Sequence, residues 1–313
     1  MSVRENAFVQ EPTAWKRRTP WWLALVVFAV IFVITVIFLQ SAVIPAIWPA
    51  EAGSTSSQFR EGFSDLLPIL GVFAWLVWYE RNRITTLGFH DPRRGVVKVL
   101  LGVVIGLGMI SVPILLLWAT GVYQTATPQP NTSSGFSALP LVLVFVLMVI
   151  IQGSSEEVLV RGFMFQRFGL QLPGWLAIVL PALIFTLVHG VFPFNALITF
   201  ITIFGFGLFA TFVVLNQKSL WLICGIHAGW NWALGNIYGL AVSGQPTKAN
   251  AIFFLEPAPG AADWVTGGEW GTEGSIAAAF MITTATVLVF LAWRRSEASQ
   301  PALSASAPST TVS

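Results

Sequence analysis

Residues 151–167 read IQGSSEEVLVRGFMFQR and place Glu156, Glu157 and Arg161 directly after the apolar run Leu139–Ile151. A charged side chain at the centre of a bilayer costs about 2.5–3.5 kcal/mol on insertion scales, so such groups are rare in membrane spans. On a helix, Glu157 and Arg161 are four residues apart with the acid first, the favourable order for an ion pair. Glu156 points about 100° away and has no such partner on its own helix. The stretch predicts either an ion-paired helix end at the membrane surface, or one carboxylate held in a pair and another available for chemistry.

The composition is that of a polytopic membrane protein. Of 313 residues, 55% are hydrophobic and only 10% are charged, whereas soluble domains carry about 25% charged residues. No polar stretch is long enough to form a separate soluble domain, and the single cysteine, Cys224, excludes a disulfide framework and a cysteine-based metal site. We predict an all-α fold, a polytopic helical bundle of about eight transmembrane helices in the lipid bilayer, with no nucleic-acid partner.

Apolar runs mark the membrane spans, because about 20 apolar residues are long enough to cross a bilayer as a helix. The predicted spans are Trp21–Gln40, Phe63–Tyr79, Val99–Ala119, Leu139–Gln152, Trp175–His189, Ala196–Leu215, Leu220–Leu240 and Ile276–Trp293. We expect the fourth span to continue as helix beyond the glutamates. The chain then divides into a basic cytoplasmic tail at residues 1–20, a transmembrane domain at 21–295 and a disordered cytoplasmic tail at 296–313.

The orientation in the membrane follows from the lysines and arginines, which are enriched in cytoplasmic segments. With a cytoplasmic N-terminus, only Arg60 and Lys248 of the 16 basic residues lie in outer segments. We therefore predict an integral protein of the plasma membrane with both termini in the cytoplasm. In this orientation the fourth span ends on the cytoplasmic side, so we expect a site at Glu156 to open to the cytoplasm.

Few other strongly polar side chains lie within the predicted spans. His189 ends the fifth span in FTLVH, and His227 lies in the seventh span in HAGWN, one helical turn before Asn231. A structural interhelical hydrogen bond explains either histidine alone. Together with the glutamates, however, they supply what hydrolysis needs, namely a carboxylate base, imidazoles and an amide donor. The HExxH motif of zinc proteases and the GxSxG motif of serine hydrolases are absent.

Three motifs in order carry a family resemblance. EEVLVRG at Glu156–Gly162 fits EExxxR, FTLVH at Phe185–His189 fits FxxxH, and HAGWN at His227–Asn231 fits HxxxN. In this respect the chain resembles the CAAX-processing and bacteriocin-processing (CPBP) intramembrane proteases, also called the Abi family. The resemblance covers a motif core at residues 139–240. It implies hydrolysis of peptide bonds in peptide or protein substrates within or near the membrane, prenylated CAAX tails among them.

The resemblance also implies roles for individual residues. Glu156 would be the base that activates water, and His189 would hold the same water. His227 and Asn231 would donate hydrogen bonds to the developing oxyanion. The supporting residues would be an ion pair and a packing aromatic ring: Glu157, Arg161 and Phe185.

A metal ion is an alternative to direct activation of water. Glu156, His189 and His227 could supply three zinc ligands and leave a position open for water. We favour a site without a cofactor, because Asn231 is a poor zinc ligand and a good oxyanion donor. Zinc stays the alternative.

Two functions of other classes fit the same polar groups. Glutamate, histidine and arginine within spans also mark proton-coupled transporters, although the chain has no inverted repeat. A catalytically silent relative could instead act as a membrane scaffold or immunity protein. The sequence does not indicate an oligomeric state.

Overall fold

The computed structural model describes residues 3–10, 17–194 and 196–299. The main helices are α1 (Trp21–Ile47), α2 (Thr55–Glu80), α3 (Pro92–Ala119), α4 (Leu139–Gln171), α5 (Gly174–Val188), α6 (Leu197–Gln217), α7 (Trp221–Trp232) and α8 (Ile276–Ala298). A π-helical turn, Ala233–Ile237, continues α7. One antiparallel pair of short strands, β1 (Tyr123–Thr125) and β2 (Leu255–Pro257), joins two loops. The fold is the predicted all-α bundle.

The predicted spans correspond to these helices, but two of the helices are short. In the part of the chain that the structure describes, six helices are long and apolar enough to cross a membrane: α1 to α4, α6 and the helix that includes α8. The fifth predicted span is only the 15 residues of α5. In α7, the seventh predicted span, every side chain from Ile223 to Asn231 is buried. This helix therefore packs inside the bundle, where protein rather than lipid surrounds it.

Glycines allow α7 to lie against α3. A Cβ atom at Gly225 would lie 2.1 Å from the carbonyl oxygen of Val99, and one at Gly229 would lie 2.1 Å from that of Val103. Both positions thus require glycine, which is the close helix approach that their spacing predicts. The other face of α3 exposes large apolar side chains, as lipid contact requires. They include Val97, Leu100, Leu101 and Val104.

Helix α4 continues well past the glutamates. It has 33 residues, or about 50 Å of helix, with a π-helical stretch at Val158–Phe165. Glu156 therefore lies near the middle of the helix and not at its cytoplasmic end. Helix α5 then runs back antiparallel to α4. Glu156 lies before the end of α4 by the same number of residues as His189 lies after the start of α5. The long helix thus brings a glutamate and a histidine of two predicted spans to the same depth.

Residues 153–174, which the charge count assigns to the cytoplasmic side, are largely helix, as expected for a fourth span that continues beyond the glutamates. Arg161 and Arg167 lie within α4 and are fully buried. Arg167 makes a two-pronged ion pair with Glu80 at the end of α2, through Nε at 3.1 Å and Nη2 at 2.6 Å. Neither arginine is a loop charge, so neither counts toward the orientation rule. The prediction of cytoplasmic termini therefore depends on the other basic residues.

The N-terminal segment packs into the same end of the bundle, which we call the inner end. Residues 3–10, predicted as part of a polar tail, form two short helical turns. Phe8 is fully buried and stacks on Phe165, and Asn6 donates to the carbonyl oxygen of Leu215. Part of the predicted basic tail is therefore structural. Helix α8 ends at Ala298, so the first residues of the tail predicted to be disordered (296–313) are helical, and its residues 300–313 lie outside the described part of the chain.

The opposite end, the outer end, consists of the connecting segments at 48–54, 120–138, 189–194 and 238–275. Lys248 donates its backbone N–H to the carbonyl oxygen of Gly53, which joins two of these segments. Glu273 is buried and accepts hydrogen bonds from Trp230 of α7 and from the backbone of Ser243. These contacts hold the longest loop over the bundle.

Candidate active site

The residues of the three motifs meet in the interior of the bundle. Oε2 of Glu156 lies 3.6 Å from Nε2 of His189 and 3.8 Å from Nε2 of His227. Asn231 is one helical turn after His227 and lines the same cavity as Glu156 and His189. The four predicted catalytic residues, from three helices, are therefore neighbours.

Local sequence explains where these side chains lie on their helices. Gly190 has a φ of 75°, which ends α5 directly after His189 and leaves the imidazole at the helix exit. In α4, a π-helical stretch begins at Val158, directly after Glu157. In α7, another begins at Ala233, close after Asn231. Such widened turns are frequent at functional sites.

Glu157 is the anchored glutamate of the pair. Its Oε1 accepts hydrogen bonds from Nη1 of Arg161 at 3.1 Å and from Nδ1 of His227 at 2.9 Å. Glu157 and Arg161 are both fully buried, and Arg161 also donates to the carbonyl oxygen of Gly207 in α6. The ion pair that the spacing predicts is present, and it also reaches α6 and α7.

Phe185 packs against this group, as the family motif implies. Its ring lies 4.7 Å from the guanidinium carbon of Arg161, a cation–π contact. Its centroid is 4.6 Å from the imidazole of His189 and 6.2 Å from that of His227. One aromatic ring thus separates the arginine from the cavity and holds both imidazoles in place.

The anchoring hydrogen bonds determine the tautomers of both histidines. Nδ1 of His189 donates to the carbonyl oxygen of Phe185 at 2.7 Å, and Nδ1 of His227 donates to the carboxylate of Glu157. A carbonyl oxygen and a carboxylate can only accept, so each Nδ1 carries a proton. In a neutral ring each Nε2, the atom facing Glu156, is then an acceptor. His227 can donate from Nε2 only when its ring carries both protons.

Gln152 is a site residue that the sequence reading missed. Its Nε2 donates to Oε1 of Glu156 at 2.8 Å, and its Oε1 accepts from Nδ2 of Asn231 at 2.9 Å. The prediction that Glu156 has no partner on its own helix is therefore wrong, because an amide four residues earlier binds one of its oxygens. That i,i+4 spacing is the signal that could have revealed it. The other oxygen, Oε2, has no hydrogen-bond partner among the described residues.

A cavity of about 450 Å³ adjoins these groups. Its wall includes Asp65, which lies within the second span, accepts a hydrogen bond from Gln40 and was missed as a site residue. The wall continues to Glu61, Ser243 and Gln245, of which Glu61 and Gln245 are exposed. These residues belong to the outer end of the bundle. The expectation of a site open to the cytoplasm assumed that Glu156 ends its helix, and the continuation of α4 to Gln171 removes that argument.

Three of these side chains could in principle bind a zinc ion. Glu156, His189 and His227 offer the carboxylate and imidazole donors that zinc accepts. Within the described ranges, however, no group of three or more histidine, cysteine, aspartate and glutamate side chains is arranged to hold a metal ion. The expectation of a site without a cofactor stays a prediction, with zinc as the alternative.

Comparison with known proteins agrees with the motifs. Residues 138–233 match the family model described as "Type II CAAX prenyl endopeptidase Rce1-like". The match begins one residue before the predicted motif core and includes all three motifs, so the resemblance to the CPBP proteases is confirmed. At the level of the family it supports a CAAX-type intramembrane protease that acts on peptide substrates in a membrane. No curated protein and no solved structure matches the chain.

Proposed function

We propose that this protein is an intramembrane endopeptidase in which Glu156 activates water without a metal ion. The observation that carries the proposal is that Oε2 of Glu156, which has no hydrogen-bond partner among the described residues, faces Nε2 of His189 at 3.6 Å beside a cavity of mixed polar and apolar lining. That separation is too long for a direct hydrogen bond. It is short enough for one water molecule to donate to both atoms.

In the first step, the attack of water, Oε2 of Glu156 and Nε2 of His189 act as hydrogen-bond acceptors for the water. A water that donates one proton to Glu156 and the other to His189 has its oxygen lone pair free for a substrate carbonyl carbon. As the C–O bond forms, Glu156 takes the proton that it binds, and the carbonyl becomes a tetrahedral oxyanion. General-base catalysis of this kind is worth about 10²–10⁴-fold in rate.

The second step needs donors for the oxyanion. Nδ2 of Asn231 has two protons, of which one is used by Gln152, so the other is available to the cavity. His227 adds a donor at Nε2 when its ring is protonated. The site then has two carboxylates, Glu156 and Glu157, balanced by the cations of Arg161 and His227. The protonated Glu156 finally gives its proton to the leaving amide nitrogen, and the C–N bond breaks.

We propose peptides or proteins in the membrane as substrates, including prenylated CAAX-type tails, which the family description names. The cavity wall combines apolar rings, such as Phe28 and Phe145, with amides and carboxylates, so it suits an amphipathic segment. The lining at Ser243 and Gln245 supports entry from the outer end of the bundle.

Comparative peptidomics tests the proposal. Membranes that contain the wild type are compared with membranes that contain Glu156→Gln, and Glu269→Gln in an exposed loop serves as the matched control. We expect cleaved peptides with the wild type and the control that are missing with Glu156→Gln. Identical peptide profiles for all three proteins would reject proteolysis and favour a transporter or a silent scaffold.

A further inference from the structure

The side-chain amide of Gln152 binds the base Glu156 directly. We propose that Gln152 is a positioning residue that ties the base Glu156 to the oxyanion donor Asn231. This inference rests on the proposed function and adds a residue that none of the three motifs includes. The chain of bonds runs from Nδ2 of Asn231 to Gln152 at 2.9 Å, and from Gln152 to Oε1 of Glu156 at 2.8 Å.

The direction of this chain is determined by its end. An ionised carboxylate can only accept, so Glu156 requires the NH₂ group of Gln152. The oxygen of Gln152 then faces α7, and it can only accept, so Asn231 must present its own NH₂ group. Exchange of N and O in either amide would place two acceptors or two donors against each other. The base Glu156 therefore determines, through Gln152, that Asn231 directs its NH₂ group and not its oxygen toward Gln152.

The same bond orients the base. The terminal torsion of a glutamate side chain is broad, so an unbound carboxylate samples many orientations. Binding of Oε1 by Gln152 leaves Oε2 as the atom that faces His189 and His227. The rate of a reaction that needs aligned atoms falls about 10²-fold for a misplacement of 1 Å. Gln152 thus acts on the rate through two other residues.

The residue type is specific for this task. Glutamine has a donor and an acceptor on one planar group, and its length spans one helical turn to Glu156 and the gap to α7. Glutamate at this position would keep the acceptor for Asn231 and place a second carboxylate against Glu156. Methionine has a similar shape and can make neither bond.

The test compares Gln152→Met with Gln171→Met in the same helix. Gln171 bonds the backbone of Thr19 and Trp21 at the inner end, so its loss controls for the removal of a glutamine from α4. The probe is an internally quenched peptide that contains a cleavage site found by the peptidomics described above. We expect Gln152→Met to lower kcat about 10–100-fold, with little change in KM or in the thermal midpoint, and Gln171→Met to leave kcat unchanged.

A double variant separates positioning from packing. If Gln152 orients the base, then Gln152→Met lowers the residual rate of Glu156→Gln by a smaller factor than it lowers the wild-type rate, because only its effect through Asn231 is left. Equal fractional losses in both backgrounds, or wild-type kcat in Gln152→Met, would overturn the inference while Glu156→Gln still supports the protease. If Gln152→Met does not fold, the isosteric Gln152→Glu takes its place, and wild-type kcat there also refutes the role. Full activity of Glu156→Gln would overturn the proposed function itself.

Discussion

Nδ1 of His227 lies 2.9 Å from Oε1 of Glu157, the oxygen that also accepts the hydrogen bond of Arg161. The second carboxylate of the motif is thus bound by two donors and fully buried, whereas the first is 25% exposed and lines the cavity, with no hydrogen-bond partner for its Oε2 among the described residues. Two adjacent and chemically equal side chains differ because they point to different sides of α4. The predictions below follow from this difference.

Glu156→Gln should abolish hydrolysis while the protein still folds. The amide retains the shape of the side chain but cannot take a proton from water, so kcat should fall by at least ~10²–10⁴-fold. Cleavage of a quenched peptide by the purified variant measures this loss, with Glu269→Gln as control. Near-normal turnover would reject Glu156 as the base.

Arg161→Met should destabilise the protein. Removal of one member of a buried pair leaves the other charge unpaired, at a cost of about 3–5 kcal/mol. The thermal midpoint should therefore fall, and Glu157→Gln added to Arg161→Met should recover part of the loss. The matched control is Arg94→Met, because its ion pair with Asp91 is exposed (87% and 52%) and such pairs contribute little. Equal midpoints for both arginine variants would show that burial of the pair is unimportant.

Arg167→Met should destabilise the protein without affecting the chemistry. Arg167 and Glu80 are fully buried, so loss of the pair should again cost about 3–5 kcal/mol. The pair is at the inner end, and so we expect the folded fraction to keep a wild-type kcat. The stability of Arg167→Lys should lie between those of the wild type and Arg167→Met, because lysine keeps the charge and loses the two-pronged geometry. A large loss of kcat at unchanged stability would contradict this separation.

Cysteine labelling should locate the entrance of the cavity. In a Cys224→Ser background, Gln245→Cys is at the exposed outer end and Thr85→Cys at the exposed inner end. If the termini are cytoplasmic, a membrane-impermeant thiol reagent should label Gln245→Cys in intact cells and Thr85→Cys only after permeabilisation. The reverse pattern would show that the termini are outside and that the cavity opens to the cytoplasm.

Zinc analysis should separate the two catalytic types. We expect well under one zinc per chain in purified protein, and activity that survives phenanthroline. Asn231→Asp is the sharper probe, since a carboxylate binds metal better but repels a developing oxyanion. It should lose about 10²–10³-fold in kcat, with no gain on added zinc. Stoichiometric zinc, or rescue of this variant by zinc, would establish a metal-dependent protease.

The sequence predicted the helices and the motif residues because both signals are local. Apolar runs mark spans directly, and the spacing of Glu157 and Arg161 requires only helix geometry. The pair of Glu80 and Arg167 could not be predicted, because its members are on different helices and nothing local links them. Gln152 was missed because an uncharged amide at the end of an apolar run gives no sign of a function until its partner on α7, Asn231, is known.

The same limit applies to the prediction of a cytoplasmic entrance, whose argument the structure removes. The charge pattern counted Arg161 and Arg167 as cytoplasmic charges, whereas both lie buried within α4. Near its end, α4 carries Arg167, which is buried in a tertiary contact with Glu80 of α2. A depth inferred from hydropathy alone is therefore unreliable where a span continues into a buried polar stretch.

The packed segment at residues 3–10 has a consequence for synthesis of the protein. Asn6 bonds a carbonyl 209 residues later in the chain, and Gln166 bonds the carbonyl of Phe8 across 158 residues. Translation produces this segment long before its partners in α4 and α6. The segment can therefore dock only after those two helices have inserted into the membrane. Contacts of such sequence separation form late. The segment is thus expected to dock last, and a bulky tag joined close to it would act on the final stage of folding and not on insertion.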